Sequence, residues 1–303
     1  MGCSVQLSRC KGNIVTIFFP LIYLMAGWLV GKTALELKTA ASWVLTRIAI
    51  PIVIVFNIST RFSSMSTVII ATAICMLAML VACRFIMRDP VRSLCFSYLN
   101  IGWLGLPVGS ALFGNDAATI IIAAYVGSSI VGNSVGAGML SGSKLNLLKL
   151  LKTPPVLALI AGAALIPFSQ DVTRWCAGLY DISKFMMSFL GMAVLGIWLS
   201  KTTLSASDLR RETGPFLIKS GMMAILISLL VGLASLLHYR LIADNAATLY
   251  LFCLLPPAAN IIVLETHYLG TGESAKLITC GTCISIIAIS LYAAFVLGFR
   301  AWG

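Results

Sequence analysis

Two proline-bearing interruptions, Asn100-Ile-Gly-Trp-Leu-Gly-Leu-Pro107 and Leu255-Pro256-Pro257-Ala-Ala-Asn260, sit inside runs that otherwise read as plain apolar helices, one in each half of the sequence. Proline lacks an amide donor and frees the carbonyl one turn earlier, so each motif breaks its helix. In a bilayer every backbone N–H and C=O needs a partner, and a broken helix survives at membrane depth only against protein or a wet cavity. Two breaks at corresponding places in two halves point to a binding site near the midplane.

The surrounding chain is suited to hydrocarbon. Of 303 residues, 59% are hydrophobic and 10% charged, and the mean hydropathy is +1.00, outside the range of a soluble domain. Uncharged runs cover 12–31, 62–83, 93–115, 117–143, 153–170, 220–237, 245–264 and 277–299. Each is close to or above the ~18–20 residues that cross a bilayer core. Two shorter runs, 48–60 and 185–200, become spans once Arg47 and Lys184 are taken inside them. The expectation is an all-α polytopic membrane protein of ten helices. Its short loops leave no room for an ATPase domain.

The net charge of +11 follows topology rather than a nucleic-acid surface. With the N-terminus outside, one set of alternate loops carries Lys32, Lys38, Arg84, Arg88, Arg92, Lys144, Lys149, Lys152, Lys201, Arg210, Arg211, Lys219 and Lys276. The opposite set carries only Arg9, Lys11, Arg61, Arg174, Arg240 and Arg300. Lys and Arg concentrate in cytoplasmic loops, so both termini are expected outside a cytoplasmic (plasma or inner) membrane. The cysteine count is nine, an odd number, and Cys75, Cys83, Cys253, Cys280 and Cys283 fall in or at the ends of spans. They read as small packing residues rather than a disulfide framework. Lys32 follows the first apolar run, where a cleaved signal would need small residues, so that run reads as helix one. Gln6 breaks the myristoylation pattern.

The basic stretch Lys144-Leu-Asn-Leu-Leu-Lys-Leu-Leu-Lys152 resembles an interfacial amphipathic helix and divides the chain. Residues 1–143 form a first five-helix repeat, 144–153 a cytoplasmic linker and 154–303 a second. An odd number of spans per half inverts the second copy. Pro107 in span four answers to Pro256-Pro257 in span nine, and Arg47 in span two answers to Lys184 in span seven. Ser128, Gly132 and Gly136 in span five, like Gly281 and Ser285 in span ten, have the small size that lets helices approach closely.

Broken half-helices present unpaired N–H groups at one end and unpaired C=O groups at the other. The N-terminal ends carry partial positive charge, and if they converge an anion fits between them. Asn100 and Asn260 are the polar side chains nearest the breaks; a carboxamide offers two donors and an acceptor, for ligand contact or for capping the broken helix. Ionisable groups inside a membrane are costly and usually functional or paired. Arg47, Lys184 and Glu265 qualify, as charge-balancing or coupling groups, or as residues reaching the interface.

Other motifs are lookalikes. Gly27-Trp-Leu-Val-Gly31-Lys32-Thr33 has three residues between its glycines where a phosphate loop has four. Gly136-Ala-Gly138 lacks the third glycine of a dinucleotide fingerprint. His238 and His267 lack metalloprotease spacing, and neither is placed to activate Ser128 or Ser129. No cofactor or metal is expected, and no enzyme.

The motifs together resemble the auxin efflux carrier family, in its bacterial organic-acid permease branch. Asn100-Ile-Gly102-Trp103-Leu-Gly105-Leu-Pro107 resembles that family's Asn-x-Gly-aromatic-Leu-Gly-Leu-Pro segment, Leu255-Pro256-Pro257-Ala-Ala-Asn260 with Tyr268 is similar to its helix-nine segment, and Lys152-Thr-Pro154-Pro155 to the start of helix six. The resemblance implies two inverted five-helix repeats with crossed broken helices four and nine. It further implies a scaffold and homodimer contact from helices one, two, six and seven, and elevator-like transport of organic anions such as malate or malonate without ATP. The binding residues it carries over are Asn100, Gly102, Gly105, Pro107, Pro256, Pro257 and Asn260. Leu99 and Glu265 depart from the family pattern, and Glu265 would favour proton coupling or a different ligand. The short central loop departs from plant exporters.

The expected function is a secondary carrier of a small organic anion, driven by protons or membrane potential. Its partners would be that anion and membrane lipid. The alternative is a transporter-like sensor that binds the anion without moving it.

Overall fold

The computed structural model describes residues 19, 21–33, 37–141 and 154–302. Residues 1–18 and the linker expected at 144–153 lie outside them. The described chain is all-α. In order it forms α1 (Leu21–Gly31), α2 (Leu37–Val44), α3 (Ile50–Met87), α4 (Pro90–Ser97), α5 (Leu106–Phe113), α6 (Asn115–Val131), α7 (Ala137–Ser141) and α8 (Pro154–Ala164). Then follow α9 (Ser169–Lys201), α10 (Ala206–Leu236), α11 (Arg240–Ala243), α12 (Ala246–Tyr250), α13 (Ile261–Leu269) and α14 (Ser274–Trp302). Among the described residues, five helical stretches are long and apolar enough to cross a membrane: Met65–Met87, Ala117–Ser141, Ile166–Lys201, Ala206–Leu236 and Ser274–Gly298. Large side chains such as Ile74, Phe85, Leu229, Leu236, Leu291 and Phe295 lie exposed along these helices. A soluble fold does not tolerate such a surface; hydrocarbon does. The chain is a multi-pass membrane protein.

Helix ends follow local chemistry. Asp89 accepts from the backbone N–H of Val91 at 2.9 Å and of Arg92 at 3.2 Å, with Pro90 in the first turn, and so starts α4. Ser205 and Asp208 form a reciprocal capping box at α10, which satisfies two otherwise unpaired amides. That box moves the start of the helix to Ala206, well ahead of the expected span at 220, and draws Lys219 from a loop into a helix. Between spans two and three the expected loop is instead a single non-helical residue, Arg61 (φ −138°, ψ 23°), inside α3. Span six closes earlier than expected, at Ala164, and Arg174 lies within α9 rather than in a loop.

The interior is fixed by small residues where helices cross. A Cβ added at Gly27 would lie 2.0 Å from the Ala193 carbonyl oxygen, and one at Gly196 would lie 2.1 Å from that of Leu24. Gly27 and Gly31 thus bring α1 onto α9 backbone to backbone, the use to which small residues at four-residue spacing are put in membranes. α3 packs against α6, α8 and α9 and against α4. This frame encloses the two breaks.

Candidate functional site

Helix α4 stops at Ser97; Tyr98 is extended (φ −91°, ψ 101°) and the chain re-enters a helix through a wide turn at Ile101–Gly105. In the second half a tight turn at Leu251–Leu254 ends in extended Leu255 (φ −73°, ψ 144°). Residues before proline are pushed out of the helical region, and Leu255 and Pro256 both precede one. The two extended pieces meet. Leu99 pairs antiparallel with Pro257, flanked by Asn100 N–H donating to Pro256 O and Ala258 N–H donating to Tyr98 O, each at 2.8 Å. The breaks therefore cross and hold one another through main-chain hydrogen bonds.

The freed carbonyls do not stay open as expected from the sequence. The Ser220 hydroxyl donates to Cys253 O at 2.7 Å, the Ser285 hydroxyl donates to Leu254 O, and the Lys219 ammonium donates to Leu255 O. With Pro256 O taken by Asn100, four successive carbonyls are satisfied, which membrane depth demands. Ser285, read from the sequence as a packing residue, is thus also a donor.

Asn100 is 3% exposed. Its Oδ1 accepts from Trp103 N–H at 3.2 Å, capping the resumed helix, while its Nδ2 is buried without a hydrogen-bond partner. A buried amide donor left unmatched costs about 1–3 kcal/mol. Asn260 is half-buried and donates through Nδ2 to the Tyr98 hydroxyl at 2.8 Å. Ser129 and Asn133 lie beside the same hydroxyl, where α6 widens into a π turn at Gly132–Gly136. Wide turns of this kind gather at functional sites. The result is a polar cluster of Tyr98, Ser129, Asn133 and Asn260 in an apolar interior.

The remaining sequence-derived residues divide. Pro256 and Pro257 form the crossing itself, with Pro257 Cδ 2.8 Å from where a Cβ on Gly281 would sit. Gly102 faces the Tyr125 ring and Gly105 faces Leu255, at 2.7 and 3.1 Å from a notional Cβ, so both make room for neighbours. Pro107 is buried in the first turn of α5. Arg47 is exposed in the wide turn Leu45–Ala49, and Lys184 is half-buried within the electrostatic reach of Asp181 and Arg61. Neither joins the crossing.

Glu265 is fully buried and serves the next helix. Its carboxylate accepts from Thr271 Oγ1 at 2.6 Å, Glu273 N–H at 2.7 Å and Ser274 N–H at 2.8 Å, which fastens the start of α14 to α13. Hydrogen bonds to a charged acceptor contribute about 1.5–3 kcal/mol each. Glu265→Ala is therefore expected to destabilise the protein by about 3 kcal/mol or more, read as a fall in melting temperature in detergent. An unchanged melt would deny this anchoring role.

Sequence reasoning passed over Tyr98, Asn133, Lys219 and Ser220. For Lys219 the signal was present: Ser205-Ala-Ser-Asp208 is a capping-box pattern that extends the helix through it. A scan against protein-family models finds no match for the sequence, and a search of curated proteins finds none either.

Proposed function

We propose that the protein is a secondary carrier that moves a small organic anion across the cytoplasmic membrane by alternating access, without ATP. This is the activity implied by the resemblance to the auxin efflux carrier family. The observation that carries the reading is the crossing of the two breaks. Main chain from both halves meets inside an apolar frame, and the Asn100 amide is buried there with its donors unused. A carboxylate supplies the acceptor oxygens that this amide lacks, and the positive ends of the helices resuming at Ile101 and Ile261 favour negative charge. The same proposal includes ten spans in two inverted repeats, both termini outside, and a homodimer through the scaffold helices.

Flux into proteoliposomes tests it. Saturable uptake of at least one labelled mono- or dicarboxylate is expected under an imposed pH or voltage gradient. Binding without flux for every acid tried would replace the carrier with a sensor.

A further inference from the structure

We infer that Lys219 supplies the counter-charge for the carried anion and that the cavity beside it selects a small monocarboxylate with a short apolar tail. The inference rests on the carrier reading and adds a second station for its cargo, since the cavity beside Lys219 is lined by Pro257 of the crossing but not by Asn100.

Lys219 is 3% exposed. Its ammonium donates to Leu255 O and stands 4.1 Å from the centroid of the Phe216 ring. The ion pairs of Arg92 with Asp89 and of Lys276 with Asp208 do not involve Lys219. An ammonium has three donors, and one carbonyl uses one of them. A buried charge is ordinarily paired with an opposite one. An anion entering beside Lys219 would supply that opposite charge.

The space for it is adjacent. A cavity of about 80 Å³ is lined by Lys219 together with Met87, Phe96, Phe216, Pro257 and Leu277. Pro257 sets it against the crossing. Arg92 and Glu212 also line it, and both line a wider, charged cavity of about 250 Å³ with Asp208, Arg211, Glu273 and Lys276. The small cavity therefore opens toward the larger one at Arg92 and Glu212. At about 10–15 Å³ for each water-sized group, it holds roughly half a dozen. That matches a carboxylate with a tail of two or three carbons, its charge on Lys219 and its tail on Phe96 and Leu277. A second carboxylate would meet apolar walls inside the cavity, where an unpaired charge is costly, while at the opening Arg92 and Glu212 offset one another.

The test reads binding, not flux, on the purified protein in nanodiscs, with butyrate and succinate as probes in titration calorimetry. Butyrate is expected to bind at least tenfold more tightly than succinate. Lys219→Met is expected to weaken butyrate at least tenfold. Glu212→Gln, a half-buried position at the opening, is expected to narrow the preference for butyrate at least threefold. Equal affinity for the two acids, or unchanged butyrate affinity in a folded Lys219→Met protein, overturns the inference. Should Lys219→Met fail to fold, an unchanged preference in Glu212→Gln overturns it. Butyrate binding that depends on Lys219 but yields no flux upholds the site and removes the carrier; flux of dicarboxylates with Lys219 indifferent does the reverse.

Discussion

Gly27→Val is expected to leave little stably folded protein, and Gly196→Val to do the same. At both positions the new side chain would begin about 2 Å from a backbone carbonyl oxygen of the facing helix, Ala193 O for Gly27 and Leu24 O for Gly196. Backbone cannot rotate aside as a side chain can, so α1 and α9 must part along the whole crossing. Overpacking of this kind costs on the order of 3 kcal/mol or more, which for a protein of this size lowers the melting temperature by roughly 5 °C or more. Because the two glycines serve one contact, the double variant is expected to lose less than the sum of the singles. Gly221→Val is the control. Nothing lies within 4 Å of a Cβ there, and its melt is expected to stay within about 0.5 kcal/mol of the parent. Equal melts for all three variants would mean that the glycine crossing does not hold these helices together.

Asn100→Asp separates capping from ligand contact. Aspartate keeps the acceptor that caps Trp103 N–H, and Asp and Asn are equivalent caps. What it removes is the amide donor, the atom left buried without a partner. The substitution is expected to reduce proteoliposome flux at least a hundredfold, and because the site is 3% exposed burial of the new carboxyl is expected to lower the melting temperature as well. Asn100→Ala removes both functions and is expected to lose flux equally, with a cap penalty of about 1 kcal/mol in addition. Asn260→Ala is expected to abolish flux while the crossing, held by backbone, stays formed. Full flux in Asn100→Asp would assign this residue to helix capping alone.

The breaks were legible because proline acts on its own neighbours. A missing amide and a restricted preceding residue are properties of Leu255-Pro256-Pro257 wherever that tripeptide lies, and membrane depth then demands that something answer the gap. What answers it was not legible. Ser220 and Lys219 sit more than thirty positions away in sequence from the carbonyls they satisfy, and only the register of α10 brings them there. Lys219 also looked like a loop residue, since a charge at the edge of an uncharged run normally marks the membrane surface. Glu265 was visible as a charge at the end of a span, but its role depends on the turn that folds Thr271 and Ser274 back onto it. Gly27-Trp-Leu-Val-Gly31 was noticed only as a failed phosphate loop. Its spacing was the useful part, since glycines one helical turn apart share a face.

The bridge at Leu99 and Pro257 sets a mechanical condition on the molecule. Its two flanking bonds run from main chain to main chain, so exchanging a side chain in either motif leaves the knot tied, and shifting one strand pulls the other along. The two strands are thereby coupled whatever side chains surround them, and substitutions beside the crossing are expected to leave its main-chain joint intact.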